Sequence, residues 1–109
     1  MRRAAKIDDN QNEIVAGLRK AGYSVCILSA VGKGVPDILV GAHGVNILME
    51  LKDGTKPKSA RALTVDESKW HKAWLGQVVV VESLYEALKA VNDLSGLTLL
   101  DEDLMYGPV

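Results

Sequence analysis

The chain has 109 residues, enough for one domain with a modest core and too few for two. At 48% hydrophobic, 25% charged and a net charge of −1 it has an ordinary globular balance, which argues neither for nor against a nucleic-acid partner. Its lone Cys26 excludes an intramolecular disulfide framework and, with only two histidines, a conventional structural zinc site.

There is no Phe and only 5% of the residues are aromatic, so aliphatic side chains have to fill the core. Cys26, within VCIL, reads as a small buried hydrophobe. The opening MRRAAKIDDN is basic but lacks the apolar segment of a signal peptide, and no apolar run approaches membrane-spanning length. A soluble, cytoplasmic protein is expected. Charge is unevenly spread: residues 1–76 carry 12 Lys/Arg against 8 Asp/Glu, and residues 77–109 carry 1 against 6. A polyanion would be drawn to the first part, although asymmetry of this size also arises on inert surfaces.

In chain order, Asp8-Asp9-Asn10 offers helix N-caps, with Glu13 three residues after Asn10 in a partial capping-box pattern. Ile14, Val15, Leu18 and Ala21 form an apolar stripe, and Gly22 is a stop, which predicts a helix over about 10–21. Glu13 lies at the border of that stripe, either as an exposed acid complementing the helix dipole or as a carboxylate facing a cleft. Tyr23–Val31 reads as a strand, broken by Gly32-Lys33-Gly34.

The stretch PDILVGAHGVNILMELK, residues 36–52, is the informative one. Two apolar runs flank His43-Gly44, a two-residue hairpin turn signal. Pairing Ala42 with Val45 puts Val40 opposite Ile47, Ile38 opposite Met49 and Asp37 opposite Glu50. Lys52 lies two residues beyond Glu50, on the same face. Opposed residues have Cβ atoms about 4.5–5.5 Å apart, so two acids and a lysine converge at one end of an apolar hairpin. The plain alternative is a surface salt bridge between Lys52 and its acids, but like charges directly opposed are destabilising without a cation. Both hairpin faces are apolar, which calls for layers on both sides.

Asp53–Arg61 reads as a polar loop whose Lys56, Lys58 and Arg61 are either a solvated surface or phosphate contacts. Thr64 and Glu67 form a capping box, predicting a helix over 65–75 that exposes Lys69 and Lys72, packs Trp70 and Trp74 partly into the core and ends at Gly76. Gln77–Val81 reads as a buried strand, and Ser83 caps a helix through Val91. Residues 96–109 are ambiguous between an edge strand, a cover for the core and a dimer interface. His43 sits in the turn and His71 on a solvated helix face, neither with a chemical role.

The order helix, strand, hairpin, helix, strand, helix, with Glu13, Gly34-Val35-Pro36-Asp37, Glu50-Leu51-Lys52 and Leu63-Thr64 leading to Trp70, resembles the PD-(D/E)XK nuclease superfamily. More narrowly it resembles the small virus-type replication-repair nuclease (VRR-NUC) domains. The resemblance covers about residues 10–91, with 92–109 as an extension, and implies a restriction-endonuclease-like αβββαβα core: a mixed sheet flanked by helices.

The activity it implies is Mg²⁺- or Mn²⁺-dependent phosphodiester hydrolysis. Asp37, Glu50 and the backbone carbonyl of Leu51 would ligate the metal, a donor set that suits hard cations. Lys52 would position or help deprotonate the attacking water, and Glu13 would assist through metal-bound water. Lys33, in the turn before Asp37, becomes a phosphate contact. The chain departs from the family at Val65 and Glu67, where Pro and Gln are common. Glu67 then stands as an outer-shell carboxylate or merely as the capping residue.

The resemblance further implies a structure-selective DNA endonuclease acting on branched or Holliday-like junctions as a homodimer, of phage or mobile-element origin. Two alternatives remain from the residues: a nucleic-acid-binding or assembly module without useful turnover, and a monomeric duplex or flap nuclease, which light scattering would separate from the dimer.

Overall fold

The computed structural model describes residues 9–96. The expectations for the first eight residues and for residues 97–109, including the tail as strand, cover or dimer interface, lie outside them. The elements run α1 (Gln11–Lys20), β1 (Ser24–Ile27), β2 (Ile38–Ala42), β3 (Val45–Leu51), α2 (Lys58–Arg61), α3 (Val65–Ala73), β4 (Val78–Val81) and α4 (Leu84–Leu94). This is the expected αβββαβα order with one extra helical turn, α2. The sheet order is β1-β2-β3-β4; β1, β2 and β3 are antiparallel and β4 is parallel to β3, giving a mixed sheet. No helix among the described residues is long and apolar enough to cross a membrane.

The hairpin register is the expected one: Ala42 pairs with Val45, Val40 with Ile47 and Ile38 with Met49. His43 and Gly44 both have positive φ, 54° and 81°, as the tight turn that matches strand twist requires. Alternation sends Ile38, Val40, Ile47 and Met49 to one face, where they are fully buried with Ile14 and Leu18 of α1 and Ala87 and Val91 of α4. Leu39, Leu48, Asp37, Glu50 and Lys52 take the other face, at the end where α3 lies.

α1 ends as expected at Gly22, with Gly22 N–H bonded to Arg19 and Tyr23 N–H to Leu18. At its start Asn10 occupies the cap position without capping. Its side-chain amide donates instead to the carbonyls of Lys52 (3.0 Å) and Glu82 (3.2 Å), tying the helix to the ends of β3 and β4.

Several expectations are corrected. The strand over Tyr23–Val31 is only Ser24–Ile27, because the chain turns at once, with Val31 N–H bonded back to the Leu28 carbonyl, and Gly32, Lys33 and Gly34 all take positive φ. Cys26 is exposed rather than buried: β1 is an edge strand and its outward face is uncovered. The polar loop contains α2. α3 ends at Ala73, three residues before Gly76, and neither tryptophan joins the core cluster; the two indoles stack on each other (centroids 4.7 Å) and Trp74 is exposed. β4 is an edge strand with only Val81 fully buried, and α4 continues one turn past Val91.

Candidate active site

β2 and β3 bring their polar ends together beneath α3. Asp37 immediately precedes β2, and its Oδ2 accepts a hydrogen bond from Leu51 N–H at 2.8 Å. In an extended strand the N–H and C=O of one residue point the same way, so the Leu51 carbonyl also faces the Asp37 side. Glu50 is 3% exposed and Lys52 7%, so the triad is no surface salt bridge. Lys52 pairs with neither hairpin acid in that fashion; its Nζ lies 2.8 Å from Glu67 Oε1 on α3.

Glu67 holds two groups with one oxygen. The capping box forms as expected: Thr64 Oγ1 accepts from Glu67 N–H, and Glu67 Oε1 accepts from Thr64 N–H at 2.9 Å. The same oxygen receives Lys52. The capping reading of Glu67 holds, and the same side chain also meets Lys52 at the end of β3. Gly34, with φ +85°, makes room for it: a Cβ there would run into the Asp66 carbonyl at the first turn of α3.

The electrostatics follow from this crowding. Glu50 is pushed up from 4.5 to about 10, first by burial, then by its hydrogen bond with Asp37 and the Asp37 charge, then by Glu67, with Lys52 opposing. Burial acts to raise Glu67 as well, but Lys52, the Thr64 amide and Glu50 bring it below its ordinary value. Burial lowers His71, with Glu67 opposing and Lys52 adding. At neutral pH, without a cation, Glu50 thus keeps its proton.

A cavity of about 210 Å³ is lined by Asp37, Glu50, Lys52, Lys56, Thr64 and Glu67. A larger open groove of about 560 Å³ lies at the far end of the hairpin, beside His43-Gly44, but no acid, lysine or arginine lines it. Of these two, the smaller holds the acids and lysines.

The other candidates divide. Lys56 lines the cavity and pairs with Asp9 at 3.0 Å. Arg61 is committed to Glu82 (3.1 and 3.3 Å) and to the Lys56 carbonyl, so it holds the loop in place. Lys58 and Lys33 are exposed, the latter in the turn that packs on α3. Glu13 is exposed on α1 and is not among the side chains lining the cavity.

His71 was the residue overlooked. Its side chain is largely enclosed, and its Nε2 lies 3.9 Å from Glu50 Oε1. It follows Glu67 by four residues, the spacing that puts both on one helix side; once Glu67 faces the site, His71 does too.

A divalent cation fits the donors. Glu50 Oε1 is buried with no hydrogen-bond partner, and opposed carboxylates with a main-chain carbonyl are the oxygen set that hard cations take. Among the described residues no three His, Cys, Asp or Glu side chains form a metal cluster; the set read from the hairpin has two carboxylates and a main-chain oxygen.

Compared with family models, curated proteins and solved structures, the chain matches none.

Proposed function

We propose that this chain is a metal-dependent nuclease that hydrolyses phosphodiester bonds in DNA, at branched or Holliday-like junctions, as a homodimer. One observation carries the reading: Asp37 and Glu50 are forced together in a cavity with Lys52, at the cost of an acid held protonated to about 10. A fold gains nothing from opposed acids unless a cation sits between them. The junction preference and the dimer come from the VRR-NUC resemblance.

Mg²⁺ or Mn²⁺, held by Asp37, Glu50 and the Leu51 carbonyl, would supply an acidified water and neutralise charge at the phosphate. The chain's own residues do the rest. Leu51 N–H fixes the Asp37 carboxylate. Glu67 fixes the Lys52 side chain, which would meet the phosphate oxygens and the attacking water. Lys56 at the cavity, and Lys58 and Lys33 on the surface, draw the backbone in.

The Lys52–Glu67 ion pair also favours a second reading. A lysine held by an acid loses part of its pull on phosphate, as expected of a nucleic-acid-binding or assembly module with weak turnover. The test is incubation with Mg²⁺ or Mn²⁺ against junction, flap, duplex and single-stranded DNA. Wild type is expected to cut the junction in preference to linear duplex, and Asp37→Asn to abolish cutting. Absence of metal-dependent cleavage in wild type, with nucleic-acid binding retained, would select the second reading.

A further inference from the structure

α3 carries Glu67 to the site at its first turn and an open aromatic face at its end. The Trp74 indole stacks on Trp70, with centroids 4.7 Å apart and planes 16° from parallel, yet it is 45% exposed. A lone exposed apolar side chain is ordinary; a ring held flat against a second ring is a platform. One face is covered by Trp70, so the opposite face and its rim meet solvent. Gly76 leaves room for the ring, since a Cβ there would come 2.8 Å from Trp74 Nε1. The stack also leads to the site. Trp70 meets His71 edge-on at 6.2 Å between centroids, and His71 Nε2 lies 3.9 Å from Glu50 Oε1. A strand with a phosphate in the cavity would bring a base to Trp74 within a few nucleotides.

We propose that the open face of Trp74 stacks an unpaired base of the DNA strand that enters the cavity and so selects branched or single-stranded DNA over linear duplex; the inference rests on the nuclease reading above. Offset-stacked rings are favoured at this spacing, and every base has a π-face to add to the pair. Charge chooses this occupant. Lys69 and Lys72, on the solvent side of the same turns, are exposed and form no ion pair among the described residues. No Asp or Glu occurs from Ser68 to Gly76 to meet them. A second copy packed on this face by two-fold symmetry would crowd those lysines against their own counterparts, whereas phosphates would satisfy them. Linear duplex keeps its bases stacked inside, but a branch point or single strand presents bases that an indole can reach.

The test is fluorescence anisotropy of labelled single-stranded DNA and blunt duplex titrated with the whole chain, with Ca²⁺ replacing Mg²⁺ so that DNA is bound without being cut. It compares wild type, Trp74→Ala, Trp74→Phe and the double variant Lys69→Gln/Lys72→Gln, with circular dichroism to confirm folding. Trp74→Ala is expected to weaken single-strand binding about tenfold or more and to move duplex binding less than about twofold. Trp74→Phe, which keeps an aromatic face, should recover most of the loss. The lysine variant should weaken both DNAs and flatten the salt dependence on single strands by about 1.4 in slope, two phosphate contacts at about 0.7 each. A Trp74→Ala effect equal on the two DNAs, or absent from both, would overturn this inference alone. So would loss of a dimer in light scattering with DNA binding unchanged, which would give the face to a second copy. Failure of wild type to bind either DNA would overturn it together with the nuclease reading.

Discussion

In the absence of divalent ions at pH 8, Glu50→Gln melts higher than wild type by about 5 °C or more. The glutamate carboxyl has a free-chain value near 4.5 and a folded value of about 10. Between those values unfolding releases a proton, so raising the pH favours the unfolded chain. The stability linked to Glu50 is whole below about pH 4.5 and is lost as pH climbs toward 10. A tenfold difference in proton affinity is worth about 1.4 kcal/mol, and about 1 kcal/mol moves the Tm of a domain this size by roughly 4–8 °C. Glutamine keeps the shape and cannot ionise. Glu67 runs the other way: lowered in the folded state, it withdraws its support only as pH falls. Melting curves in chelator from pH 5 to 9 check this. Wild type should lose ground steadily with rising pH and Glu50→Gln should not; parallel profiles would show that the acids are not crowded.

Lys52→Ala is expected to lower activity by about 10²–10⁴-fold, the usual worth of a positioned proton-transfer or charge group. The fold should survive it. The backbone N–H of Lys52 still bonds Val81 carbonyl at 2.9 Å, and the Asn10 amide still holds its carbonyl. What goes is the ammonium beside Glu67, whose carboxyl then rises toward its ordinary value. Lys52→Arg should not restore cutting, because the broad guanidinium fork does not replace a compact charge in an enclosed site. Cleavage rates on the same junction, with circular dichroism of each variant, decide it. Equal rates in wild type and Lys52→Ala would assign the cutting to something other than this site.

The sequence carried the hairpin because its signals are local and agree. Alternation over residues 38–42 and 45–51 leaves one register that buries Ile38, Val40, Ile47 and Met49 together, and His43-Gly44 closes only that register. Thr64 and Glu67 were likewise readable as a cap from spacing alone. What was not readable depends on partners far along the chain. Asn10 has the residue type and place of a cap, but its amide donates to the carbonyls of Lys52 and Glu82 while its Oδ1 accepts no N–H of the helix. Cys26 has a core residue's composition around it and an edge strand's exposure. The two tryptophans have helical spacing, but α3 ends early and they stack on each other instead of entering the core. His71 looked solvated because the direction of α3 over the sheet is set by Glu67 meeting Lys52, a contact 15 residues apart.

The central claim is that one divalent ion displaces the proton that Glu50 keeps. Calorimetric titration of Mn²⁺ into the metal-free protein at pH 7.5, repeated in buffers of different ionisation enthalpy, counts protons released per ion bound. About one proton should leave with one ion in wild type, and Asp37→Asn should bind the ion far more weakly. An ion bound with no proton released, or no ion bound at all, would contradict the account.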